Sequence, residues 1–138
     1  MFKNLFKKAV DPEQIVELQP IGSMKWDEDG ECWRASYQNY MVSVAYEGLA
    51  KPESELSAFV ERTLGDSGFI DTAMGKIRAT AKTKYPNEFH QKIDDLKPCD
   101  VIFQSSNFIL IQFFGPKDHE PFWFAEIHGT EIQVGFDT

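Results

Sequence analysis

Residues 101–136 read VIFQSSNFILIQFFGPKDHEPFWFAEIHGTEIQVGF, and this stretch decides the fold. Runs rich in Phe, Ile, Val and Trp (VIFQ, NFILIQFF, PFWFAEI, EIQVGF) are separated by Ser-Asn, Gly-Pro-Lys-Asp and His-Gly-Thr steps. β-Branched and aromatic residues in short runs between turn formers predict strands. The gaps are too short for the crossover that parallel neighbours need, so these strands form an antiparallel meander. In NFILIQFF both faces are apolar: Phe108, Leu110 and Phe114 on one, Ile109, Ile111 and Phe113 on the other. That pattern predicts a central strand covered on both sides, by an N-terminal helix or by a second subunit.

Working upstream, the middle of the chain is helical. A helix beginning at Pro52 carries the apolar stripe Leu56, Phe59, Val60 and Leu64, with Glu53 and Glu55 at its positive end. A second, from about Ile70 to Lys84, turns Ala73, Met74, Ile77 and Ala81 inward. Pro86 stops it, and a short third helix follows Asn87 with Phe89, Ile93 and Leu96 inward. Further upstream, Ile21–Trp26, Cys32–Gln38 and Tyr40–Tyr46 read as strands. The first two are joined across Asp27-Glu28-Asp29-Gly30, where Gly30 is expected in the left-handed region. Phe2, Leu5, Phe6 and Ala9 fall at helical spacing opposite Lys3, Lys7 and Lys8, which predicts an amphipathic helix within 1–12. The element order is α-βββ-αα(α)-ββββ. It predicts the α+β class: one antiparallel sheet of about six to seven strands, with two to three helices inserted mid-chain and packed on one face. All of 1–138 is expected to form a single domain, long enough to build a core without staples.

The 14 basic residues are outnumbered by 22 acidic ones, giving a net charge of −8 and a pI near 4.8. Nucleic acid and anionic membranes demand clustered Lys and Arg, so this balance argues against both and suits a basic partner. No apolar run reaches the roughly 20 residues of a membrane helix. The N-terminus has no long apolar core and no small-residue cleavage site. Cys32 and Cys99 stand alone in no C-x-x-C pattern, which fits reduced thiols in the cytoplasm.

No catalytic or cofactor signature occurs: there is no G-x-x-x-x-G-K-[ST], G-x-G-x-x-G, G-x-S-x-G or H-E-x-x-H. Asp27, Glu28, Asp29 and Glu31 are too close together and too strand-flanked for a helix-loop-helix calcium loop, and read as a hairpin turn. His119 and His128, with Glu120 and Glu126, would lie at opposite ends of one strand. At ~3.3 Å per residue they are roughly 25–30 Å apart, too far to share an ion. His90 and Asp94 share a helix face near Cys99, but nothing local marks that thiol as activated. His90, His119 and His128 therefore form only a weak polar candidate set. Lys76, Arg78, Lys82 and Lys84 read as a solvated helix face. Trp26, Trp33, Tyr37, Tyr40 and Trp123 are the best material for an interaction surface, because aromatic anchors dominate binding hot spots, although most of them are expected in the core. No cofactor and no metal are expected.

Trp26 and Trp33 in an opening hairpin, Tyr85 closing the helical middle, and EIHGTEIQVGFD from Glu126 to Asp137 carry a resemblance. The chain resembles a loose group of uncharacterised bacterial α+β domains of unknown function. Some members look like immunity or accessory proteins encoded near toxins. The resemblance implies a binding role and transfers no catalytic residue. The expected function is therefore a non-enzymatic, cytoplasmic, protein-binding domain, with a basic partner or a homodimer as its forms. The other reading is a small-ligand-binding domain or weak hydrolase with a pocket between sheet and helices.

Overall fold

A computed structural model of the chain describes residues 15–45, 52–113 and 122–137. The expected N-terminal helix and His119 lie outside these residues. Short alternating segments form the first strands: β1 (Ile15–Leu18), β2 (Gly22–Asp27), β3 (Cys32–Tyr37) and β4 (Tyr40–Ala45). The helices follow: α1 (Ser54–Gly65), α2 (Phe69–Lys84), a 3₁₀ turn (Asn87–Phe89) and α3 (His90–Asp94). The C-terminal run supplies β5 (Pro98–Ser105), β6 (Phe108–Phe113), β7 (Phe122–His128) and β8 (Glu131–Asp137). The fold is α+β, and the described residues form eight strands in one sheet in the order β1 to β8.

Two expectations are corrected. The first half of the sheet has four strands, not three, because IVEL at Ile15–Leu18 pairs with β2. The sheet is mixed rather than wholly antiparallel. Its two meanders meet at a parallel pair, in which Met41, Val42, Ser43 and Val44 of β4 face Asp100, Val101, Ile102 and Phe103 of β5. The helical segment between β4 and β5 is long enough to carry the chain back to the starting end of the sheet, so β5 runs with β4. The C-terminal strands are antiparallel throughout.

Strand alternation sorts the side chains onto two faces. Val42, Val101, Ile111, Ala125 and Val134 form a buried row across five adjacent strands. The neighbouring row holds Trp33, Val44, Phe103, Ile109 and Ile127. The helices cover this face. Phe59 of α1 meets Phe103 edge-on at 5.7 Å, and Tyr85 at the end of α2 meets Trp123 at 5.1 Å. Glu53 caps α1 by accepting from the Glu55 and Leu56 amides, which satisfies two of the orphan donors of the first turn.

The basic run on α2 differs from the solvated face expected for it. Arg78 Nη2 donates to the Leu96 carbonyl at 2.8 Å, and Lys82 pairs with Asp94. Lys84 Nζ donates to the Val134 carbonyl at 2.7 Å. These side chains brace α2 against α3, the loop before β5 and the outer edge of β8. In the β2–β3 turn the left-handed residue is Glu31 (φ 50), not Gly30. Gly30 serves a close approach instead: a Cβ there would lie 3.2 Å from Cys32 Sγ and 3.3 Å from Asp27 Oδ2.

Candidate functional site

The second face of the sheet carries no covering element among the described residues. Strand pairing brings Lys25, Arg34, Ser43, Ile102, Leu110, Glu126 and Gln133 into one row across it. The row changes character midway. Its first part is polar and built on β2 to β4; its second part is apolar and built on β5 to β7.

The polar part is a knot tied across the parallel pair. Arg34 Nε donates to Ser43 Oγ at 3.2 Å, and Arg34 Nη2 donates to Asp100 Oδ2 at 3.0 Å. The Ser43 hydroxyl donates to Asp100 Oδ1 at 3.0 Å. Arg34 Nη1 lies 3.6 Å from Asp27 Oδ2. Ser43 is 2% exposed and Asp100 7%, although neither sits under a helix, because the Arg34 side chain lies over them. Burial pushes the Asp100 carboxyl above its ordinary range, while hydrogen bonds from Ser43 and the Arg34 charge pull it part of the way back. Burial also raises the Cys32 thiol; the Ser43 hydrogen bond lowers it and the Asp27 charge adds to the rise. Cys32 is thus a neutral thiol at pH 7, not an activated nucleophile. Among the described residues no imidazole stands beside Ser43, and its hydroxyl donates to a carboxylate. The knot ties β3, β4 and β5 together.

A recess of about 510 Å³ lies over the knot, lined among others by Asp27, Cys32, Arg34, Ser43, Asp100 and Gln104. Beside it the surface turns apolar, with Ile102, Leu110, Phe108 and Phe124 all half-buried. Phe108 stacks on the His128 ring, 4.2 Å between centres and 21° between planes. Phe124 lies over Gly135, where a Cβ would come within 2.8 Å of its Cζ. Glycine here lets an aromatic ring cover the backbone of the neighbouring strand. Gly135→Ala is expected to push the ring off, costing about 1 kcal/mol. Displaced Phe124 ring resonances together with a lowered melting midpoint would show this. Glu126 lies next to Leu110 in the row, and Glu131 pairs with His128.

The expected site residues are distributed differently. Trp33 is fully buried, and Tyr40 and Trp123 nearly so. Trp26 meets Trp33 edge-on at 5.3 Å, and Tyr37 meets Tyr40 at 5.9 Å. All five aromatics belong to the helix-covered face or its margin, where they fill the core. His90 lies in the helical layer with Nε2 3.2 Å from the Lys82 carbonyl, and His128 lies on the open face. The structure does not bring these two imidazoles together. Asp27 spends its Oδ1 on the amides of Asp29 and Gly30 in its own turn. Among the described residues, no three His, Cys, Asp or Glu side chains converge as metal ligands. No helix among them is long and apolar enough to cross a membrane.

A second recess of about 390 Å³ opens between the β3–β4 turn, α2 and the loop before β5. Tyr40, Asp71, Met74, Arg78 and Lys97 are among its walls. Neither His90 nor His128 lines it. Burial first, then Tyr37 and Asp71, push the Tyr40 hydroxyl up to about 12, so it stays neutral.

The Arg34–Ser43–Asp100 knot is absent from the sequence-based candidates because its members stand 9 and 57 positions apart. A signal existed: Arg34 and Ser43 both occupy the polar phase of their strands, and Asp100 is a charge inside an apolar one. No family model, no curated protein and no solved structure matches this chain.

Proposed function

We propose that this domain binds another protein through the open face of its sheet. The partner contributes an amphipathic segment. Its apolar side seats on Ile102, Leu110, Phe124 and Phe108, and its basic residues meet Glu126, Glu131 and Asp27. The observation that carries this reading is the apolar strip itself: large, partly buried side chains on three neighbouring strands, bordered by carboxylates, on a face that no described element covers. Contiguous exposed apolar surface on a soluble domain marks an interaction site. The net charge of −8 chooses between occupants. A second copy would bring Glu126 and Glu131 against their own equivalents, whereas a basic segment is steered in by the same field. An accessory or immunity-type role, in which an acidic domain masks a basic and apolar part of its partner, is the biological form of this reading.

The test uses two synthetic helical peptides of identical apolar stripe, one with lysines and one with glutamates on the polar face. The lysine peptide is expected to bind with a dissociation constant of about 1–100 μM. It should shift the side-chain resonances of Leu110 and Phe124, and weaken as salt is raised. Leu110→Lys is expected to reduce that affinity by at least about tenfold at a stability cost of about 1 kcal/mol, small enough to leave the domain folded. Equal binding of the glutamate peptide, or shifts confined to the helical layer, would refute the proposal.

A further inference from the structure

The sheet has two edges, and the protein treats them differently. At β8 the outward Val134 carbonyl is occupied, accepting from Lys84 Nζ at 2.7 Å and from the Tyr85 hydroxyl at 3.4 Å. A strand approaching that edge finds its central acceptor taken and a lysine in the way, a standard defence against edge pairing. At the other edge, β1 pairs with β2 on one side and with no described strand on the other. Beside β1 runs a groove of about 490 Å³, closed on its far side by α1. The helix presents Ser54, Ser57, Ala58 and Glu61 to it, residues spaced i, i+3, i+4 and i+7 and so on one helical face. Three of the four are small, which keeps the helix wall of the groove low. Ile15 on the edge is 51% exposed, the exposed large hydrophobic residue among those described. Glu61 Oε2 accepts the Gln19 amide at 2.8 Å and pins the end of β1 to the helix. Glu17, held by the Ser23 hydroxyl at 2.6 Å, adds a second carboxylate.

We propose that the groove between β1 and α1 accepts an extended peptide segment of another protein, which adds to β1 as a further strand. Main-chain hydrogen bonds to the open ladder supply the affinity, and alternate side chains supply the choice. Residues of the peptide that point to the helix side lie over Ser57 and Ala58 and must be small or medium and apolar. Residues that point the other way lie near Ile15 and Glu17, where a lysine or arginine fits. The two carboxylates select a basic segment over a second copy of this chain, whose β1 would bring its own Glu17 and Glu61 into the same space. The groove is separate from the apolar strip on the sheet face, so this inference stands or falls independently of the function proposed above.

The experiment uses the full chain and a short, end-blocked peptide alternating valine and lysine. The peptide is expected to bind with a dissociation constant below about 1 mM and to shift the amides of Ile15–Leu18 together with those of Ser57 and Ala58. Hydrogen exchange at the outward β1 amides should slow by about tenfold or more at saturation. Two controls decide the mode. A peptide N-methylated at alternate residues, which lacks the ladder donors on one edge, should lose binding. Ala58→Trp, at an exposed helix position, should fill the groove and weaken binding by at least about tenfold while the melting curve is kept. Undiminished binding of the N-methylated peptide overturns the proposal whether or not the tryptophan variant folds. So do an absence of binding at millimolar peptide and protection confined to β8 or to Leu110 and Phe124.

Discussion

Replacing Arg34 by alanine is expected to destabilise the protein by about 3 kcal/mol at neutral pH, the lower end for breaking a buried pair. The lower end applies because 36% of the Arg34 side chain meets water while only 9% of the Asp100 side chain does. The cost arises at Asp100. Without the guanidinium, a buried carboxylate keeps the Ser43 hydroxyl as its hydrogen-bond donor and loses its charge partner. Removing Asp100 instead leaves a cation that can turn to solvent, so Asp100→Ala should cost less than Arg34→Ala. Replacing both by apolar residues of similar volume should recover most of the loss, since the pair contributes little beyond its own desolvation.

The same cluster predicts a pH trend with a definite sign. Burial raises the Asp100 carboxyl in the folded state, against the Ser43 and Arg34 contributions that lower it. A carboxyl raised on folding holds its proton more tightly in the native state. Its contribution is therefore fully present below the ordinary carboxylate range, near about pH 4, and is lost as pH rises through the folded value. Removing Arg34 takes away one of the lowering causes, so the folded value rises further and the loss on deprotonation grows. The Arg34→Ala deficit should shrink as pH falls towards about 4, where protonated Asp100 no longer needs a partner. Urea titrations of both proteins across that interval measure the trend. A deficit that is constant with pH would place the cost in lost packing of the arginine stem rather than in the carboxylate.

The C-terminal meander was legible because its runs are dense in residues that fit a pleated, buried surface, and because the gaps between them forbid crossovers. The parallel seam between β4 and β5 was not, since its direction depends on how α1, α2 and α3 return the chain, and no local signal encodes that. The strand IVEL is four residues long, too short for alternation to stand out. The place of the aromatic residues is legible in the phase of their strands. In CWRASY the polar phase Cys32, Arg34 and Ser36 alternates with Trp33, Ala35 and Tyr37, so the aromatic phase is the one that meets the core. Trp33 and Tyr40 fill the interior for that reason. The double-faced apolar pattern of NFILIQFF predicts cover on both faces; the helices supply it on one, and the N-terminal helix expected on the other lies outside the described residues.

Two adjacent residues of β6 separate the helix-covered face from the face that no described element covers. Ile111 points to the helices and is fully buried, paired with Val101 and Ala125 in a row without solvent. Ile111→Ala is expected to cost about 3–4 kcal/mol, transfer plus residual cavity, because neighbours fixed in a sheet cannot collapse into the gap. Leu110 points the other way, between Ile102 and Glu126, and is half-buried. Leu110→Ala should cost about 1 kcal/mol, since less surface is returned to water and solvent fills the space. The two changes remove comparable aliphatic groups from neighbouring positions of one strand, so propensity and unfolded-state effects largely cancel and the difference reports cover alone. Equal costs near 3 kcal/mol would mean that Leu110 is buried in solution, and the strip would then be unavailable to a partner. The source of such cover is itself measurable. A melting midpoint that climbs with protein concentration assigns it to a second copy, and one that does not assigns it to the chain itself.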